Sequence, residues 1–304
     1  MVQRNLQVTR TKGQIRVPRN LSNDSMSNLA SSRAKAYSFL ASTYLQVPTK
    51  ELITEFLNHP PFSIESQGMK TLNEFLSHNK LTPPELLHER LAREHLRLFG
   101  GLAYGHSPPP PYESVWEGEG KLMGKAAVNV LKIYGEAGVE LTAPTTEPPD
   151  HVGIELAYLS YLCSKEADAR RSTDANATAK HLRMQYDFLR HHVERWVPNF
   201  CQRIAKDDRI RFYRGIATLT KEFVLADIET ILEELRKNGS EQFNEEIVTE
   251  AFKPPQTDEK NNDRKTSTSL ARRPAQSGQG SGLCGMWKVH VLSSDTYSED
   301  QARN

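Results

Sequence analysis

The 304-residue chain carries 37% hydrophobic residues, enough for one large core or two small ones. Its 39 basic and 38 acidic residues leave a formal charge of +1, so no global field draws it to nucleic acid or to an anionic membrane. Cys163, Cys201 and Cys284 are odd in number and far apart, which argues against a disulfide framework or a paired-cysteine zinc site and fits a reducing compartment.

The predicted elements begin after a polar stretch, residues 1–24, that lacks any sustained period. Arg4, Arg10, Arg16 and Arg19 are followed by no apolar run of signal-peptide length, and no later segment approaches the roughly 18 apolar residues of a membrane span. The chain is expected to be cytoplasmic, neither exported nor stably inserted. Arg33, Ala36, Tyr37, Leu40, Ala41, Tyr44 and Leu45 recur at helical spacing up to Pro48. Leu52 to Leu57 predict a short second helix before Pro60-Pro61, and Met69, Leu72, Phe75 and Leu76 a third.

A fourth helix is expected from a Thr82 cap and Pro83 through Leu87, Leu91 and Leu98 to Phe99, stopped at Gly100-Gly101. Pro108 to Pro111 then impose a stiff polyproline-like path over residues 102–114. Leu122 to Tyr134 read as a helix, and Val152 to Cys163, apolar on nearly every side, as a central buried one. A helix through Leu182, Tyr186 and Leu189, a break at Trp196-Val197-Pro198, and a long helix from about Ile210 to Leu235 complete an all-α single-domain bundle over residues 25–252. Residues 253–304 form a polar, disordered tail by composition. Its apolar stretch Leu283 to Leu292 is either a docking segment or an accident of sequence.

Enzyme signatures are missing: there is no phosphate-cradling glycine loop, nucleophile elbow or His-Glu-x-x-His helix. No catalytic residue, cofactor or metal site is expected. His181, His191, His192 and Glu194 read as a solvated helix face, because neighbours in sequence do not supply the three or four converging ligands a metal needs. The basic run Lys180 to His192 lacks the interleaved aromatics of a single-stranded nucleic-acid groove.

Two loops hold the informative residues. In Glu94 to Trp116 a proline rod ends in Tyr112-Glu113-Ser114-Val115-Trp116, a stiff display of aromatics and a carboxylate suited to binding; Tyr112 and Trp116 closing the bundle end and Ser114 capping a helix are the structural alternatives. In Glu147 to Leu156, Asp150 stands where an N-cap is expected and His151 in the first turn, with hydrogen bonding favoured over pH sensing.

The combination of RLFGG, PPPPYESVW and EPPDHVGIELAYLSYL resembles the TorD/DmsD/NarJ-related family of redox-enzyme maturation chaperones, and the likeness extends from AYSFLASTYLQVP through FLRHHVERWVPNF to RFYRGIATLTKEF, roughly residues 30 to 235. The resemblance implies an all-α chaperone, not an enzyme. Its partner would be the precursor of a molybdopterin-dependent oxidoreductase, bound by the twin-arginine signal peptide or the apo form until cofactor insertion, before export.

A NarJ-like factor for a non-exported catalytic subunit, a helical enzyme and a structural adaptor remain as alternatives, and monomer against domain-swapped dimer is open. The family's binding surface carries over to Tyr112, Glu113, Ser114, Trp116, Pro149, Asp150 and His151. A twin-arginine signal, two guanidinium groups followed by an apolar run, calls for a hydrophobic groove flanked by carboxylates. Glu113, Glu117, Glu119, Glu147, Asp150 and Glu155 supply the charge, and Phe99, Tyr112 and Trp116 the apolar floor, provided the two loops meet in space.

Overall fold

The computed structural model describes residues 23–62, 66–100, 110–117, 122–141 and 147–238. The expected disordered ends lie outside the described residues except for Asn23 and Asp24, as do residues 102–109 of the proline loop. The described chain folds as ten α-helices: α1 Asn23–Leu45, α2 Lys50–Asn58, α3 Gln67–Asn79, α4 Pro84–Phe99, α5 Glu113–Trp116, α6 Lys125–Glu136, α7 Val152–Arg171, α8 Ala175–Phe188, α9 Glu194–Asp207 and α10 Phe212–Asn238. An isolated bridge between Tyr112 and His151 is the β-type pairing found among the described residues.

Helix α7 is the axis of the bundle, as its lack of a polar face predicts. Val152, Leu156, Leu159, Leu162 and Cys163 are all buried. Helix α1 lies antiparallel along it: Ser27 near the start of α1 donates to the Ala167 carbonyl, and Gly153 at the start of α7 sits against Ala41 and Leu45. Helices α3 and α10 cross closely at Gly68, where an added Cβ would come within 2.5 Å of the Leu219 backbone nitrogen. That backbone cannot give way, so glycine is required there.

A buried polar network fixes how the helices register. The Arg33 guanidinium on α1 donates to Asp227 on α10 at 2.5 Å and 2.9 Å, to Glu166 on α7 at 2.8 Å, and to Gln185 on α8 at 2.5 Å. Tyr37 donates to Asp227 at 2.7 Å, and Arg170 joins Glu166 to Glu234. Removing one partner would strand a buried charge, a loss of about 3 to 5 kcal/mol.

Several helix boundaries differ from expectation for local physical reasons. Thr82 is not the cap of α4; Pro83 is, because the residue before a proline is pushed to extended backbone, here ψ 134°, and only Pro84 can take the first helical position. Helix α6 starts at Lys125 rather than near Leu122. Met123 occupies the left-handed region at φ 60° and Gly124 is the extended N-cap, which leaves Leu122 and Met123 exposed.

The expected break at Trp196-Val197-Pro198 is absent. Residues Leu189–Val193 form a π-helical turn that runs directly into α9, and Pro198 is carried inside that helix. Proline removes one donor and crowds the turn before it, and a widened turn immediately upstream gives the chain room to stay helical.

Candidate functional site

The two informative loops meet. The Glu113 N–H donates to the Asp150 carbonyl at 3.0 Å and the Val152 N–H to the Pro111 carbonyl at 2.9 Å, so Tyr112 and His151 pair as antiparallel backbone. Their rings pack edge to face at 5.4 Å. The Asp150 carboxylate accepts the Ser114 N–H at 2.9 Å. Asp150 therefore caps the single turn α5 on the other loop, and the N-cap of α7 is His151, whose Nδ1 accepts the Gly153 N–H at 3.0 Å. The expected capping role of Asp150 is corrected in its target: the reverse turn closed by the His151 N–H on the Pro148 carbonyl leaves His151 to cap α7 while the Asp150 carboxylate reaches across to α5.

Beneath the loops lies a cluster of buried polar groups. His192, on the π-helical turn, shares its Nδ1 hydrogen between the two carboxylate oxygens of Glu113 at 2.9 Å and 3.1 Å. Trp196 Nε1 donates to Glu155 at 3.1 Å, and the His192 ring stacks on Phe188 at 5.1 Å. Glu113, Ser114, Asp150, His151, Glu155 and His192 are all buried. Ser114 Oγ, Asp150 Oδ1, Glu155 Oε1 and His192 Nε2 are buried and make no hydrogen bond to the protein.

Burial governs the protonation of these groups. It pulls His151 down to about 3, helped by the nearby His95, so the ring is neutral and its Nδ1 lone pair is free to cap α7. Burial also raises Glu155 well above the usual carboxylate range, reinforced by the Glu113 and Asp150 carboxylates and opposed by the Trp196 hydrogen bond. That shift favours the protonated form of Glu155.

The rim differs from the floor. Tyr112 is half-buried and donates to Glu147 at 2.5 Å; burial and that carboxylate raise its pKa. Trp116 is half-buried, donates to the Pro110 carbonyl at 3.0 Å, and packs edge to face on Phe200 at 5.9 Å. Glu117 pairs with the more exposed Arg195. The Tyr134 hydroxyl anchors the turn by donating to the carbonyl of the buried Pro149.

The nine residues singled out from sequence thus fall into three groups. Tyr112 and Trp116 present surface. Glu113, Ser114, Pro149, Asp150, His151 and Glu155 are brought together beneath that surface, and Glu113, Asp150 and Glu155 are too enclosed to meet a guanidinium directly. Phe99 is core, packed against Tyr44 at 5.5 Å and Tyr213 at 5.3 Å rather than exposed as a floor. Glu119 lies outside the described residues.

Sequence reasoning placed His192 on a solvated face, and that is corrected. The signal was available: Phe188, His192 and Trp196 succeed one another at four-residue steps, so three rings share one helix face and that face is buried. Among the described residues no three His, Cys, Asp or Glu side chains converge as a metal site.

Several known proteins are similar to this chain. A family model described as "Nitrate reductase delta subunit" matches residues 65–202. The "Selenate reductase assembly chaperone protein" of Thauera selenatis is 31% identical over 139 residues, covering 44% of this chain and 67% of its own. The "Chaperone protein TorD" of Vibrio cholerae serotype O1 is 27% identical over 202 residues, covering 64% of this chain and 90% of its own. The protein of the same name from Colwellia psychrerythraea is 25% identical over 233 residues, covering 66% and 92%.

Proposed function

Because the chain belongs to the TorD/NarJ family of redox-enzyme maturation chaperones, we propose that it binds the precursor of a molybdopterin-dependent oxidoreductase through its twin-arginine signal peptide and holds it until the cofactor is inserted, before export. The chain is a chaperone, not an enzyme. The observation that carries the proposal is the pairing of Tyr112 with His151, which fuses two sequence-distant loops into one surface.

On this reading Tyr112 and Trp116 receive the apolar part of the signal, and Glu117 and Glu147 at the rim receive its guanidinium groups as forked hydrogen bonds. The buried Glu113, Ser114, Asp150, His151 and Glu155 hold that rim in shape, so that little ordering entropy is lost on binding. Action in the cytoplasm is the consequence of a client met before export; among the described residues no helix is long and apolar enough to cross a membrane.

A second reading is assembly of a catalytic subunit that is never exported; its assembly part is supported by the name of the Thauera selenatis relative, an assembly chaperone. One experiment separates the two. The tagged full chain is captured from its host grown by anaerobic respiration, and the N-termini of co-purifying proteins are sequenced. A molybdoenzyme precursor that keeps its twin-arginine leader supports export proofreading. The same class of enzyme without a leader supports subunit assembly, and the absence of any redox-enzyme client refutes both.

A further inference from the structure

A second feature lies away from the paired loops. Helices α1, α2, α3 and α10 enclose a half-open cavity of about 540 Å³ whose wall includes Phe39, Phe56, Phe62, Met69, Leu219 and Phe223. Its size falls within the roughly 300–1,000 Å³ of pockets that bury a ligand or a group of anchoring side chains. Among the described residues the ionisable side chain on the wall is Glu222, whose carboxylate also accepts the Gln67 and Gly68 N–H groups at the start of α3, at 3.1 Å and 3.2 Å. An apolar recess with an acidic edge suits an apolar segment that carries a cation.

The same chain contains such a segment. From Leu283 to Leu292 the sequence reads LCGMWKVHVL, between polar stretches on both sides. As extended backbone it would place Trp287, Val289 and Val291 on one face and Lys288 and His290 on the other. The apolar row matches the recess, and the long Lys288 stem can bring its charge to the Glu222 edge.

Reach is ample. About 45 residues separate Asn238, at the end of α10, from Leu283, and a flexible chain of that length would span about 35–40 Å root-mean-square. Tethering at such lengths gives an effective concentration up to the order of millimolar, ahead of most free competitors. We propose that the Leu283–Leu292 segment docks within its own chain into the α1–α2–α3–α10 cavity, with Trp287 as the anchor, and so acts as a tethered internal ligand for an apolar site separate from the paired loops.

The test places the photo-crosslinker p-benzoylphenylalanine at Phe62, on the half-buried edge of the cavity, in the full chain, and maps the products by mass spectrometry. Crosslinks are expected within residues 283–292, falling at least tenfold when Trp287→Asp and Val289→Asp are introduced together, with far-UV circular dichroism unchanged. Crosslinks scattered over the tail and insensitive to the double substitution would overturn the proposal, as would their absence from residues 283–292. Mixing isotopically light and heavy chains decides the remaining case, since crosslinks that join one copy to another would replace internal docking by self-association.

Discussion

The Asp150 carboxylate accepts the backbone N–H of Ser114 at 2.9 Å, so a residue in the turn before α7 caps a helix that lies 36 positions earlier in the chain. The cap helps to hold a single helical turn, α5, in place, together with the Glu113 N–H on the Asp150 carbonyl and the Glu113–His192 pair. A helix that short has no stability of its own.

Asp150→Ala should therefore loosen α5 and weaken signal-peptide binding more than it weakens the fold. Loss of the cap should cost about 1 to 2 kcal/mol in urea unfolding. Asp150→Asn keeps an acceptor oxygen and should lose much less. Equal losses of stability and affinity for the two variants would show that charge, not the cap, is what matters at this position.

Glu113→Ala should also be disruptive, because it leaves the buried His192 Nδ1 without its carboxylate partner, at a cost of about 1 to 3 kcal/mol. Replacing both partners, Glu113→Leu with His192→Phe, should recover much of that loss. A double-mutant cycle with no coupling energy would mean that the two side chains do not depend on each other.

Trp116→Ala removes a rim aromatic whose ring rests on Phe200. If the rim binds the client, affinity for a synthetic twin-arginine signal peptide should fall at least tenfold, the behaviour of an interface anchor. Glu117→Ala should lower affinity severalfold and leave the unfolding curve unchanged. Unchanged peptide affinity in both variants, measured by calorimetry, would move the binding surface elsewhere.

Stability should depend on pH in a direction set by three buried groups. Burial, then the charge of His95, pulls His151 down to about 3 from 6.5, so the unfolded chain takes up a proton between those values that the native chain refuses. The contribution of His151 is complete above pH 6.5 and is lost as pH falls towards 3. His95, pulled down to about 4 by burial, acts in the same direction.

Glu155 acts oppositely, since its native carboxyl keeps a proton above pH 4.5 that the unfolded chain releases, so its burial becomes more costly as pH rises. Between pH 4.5 and 6.5 the two histidines take up protons only in the unfolded chain, so they favour the native chain as pH rises, and Glu155 opposes them. Urea unfolding across this range checks the slope. A His151 ring that titrates near 6.5 by NMR would contradict the assignment directly.

Much of the architecture was written into local pattern. The spacing of Tyr37, Leu40, Ala41 and Tyr44 on α1, the apolar run of α7, and the long period of α10 each specify a helix and its buried side without reference to any other element. Local chemistry was misread where two signals competed. Pro83-Pro84 moved the start of α4 by steric exclusion, and the π-helical turn before Pro198 rescued a helix that proline alone would end.

The motifs that identified the loops were also legible, but not what their residues do. Asp150 serves α5 rather than α7, Glu113 meets a histidine 79 positions away, and Phe99 belongs to the core. A sequence determines by itself the features that depend on neighbours within a turn or two: helix, face, boundary. Hydrogen-bond partners and burial depth are set by which elements pack together, so only the tertiary structure decided that Glu113, Asp150 and Glu155 lie beneath the surface while Glu117 and Glu147 stay at its rim.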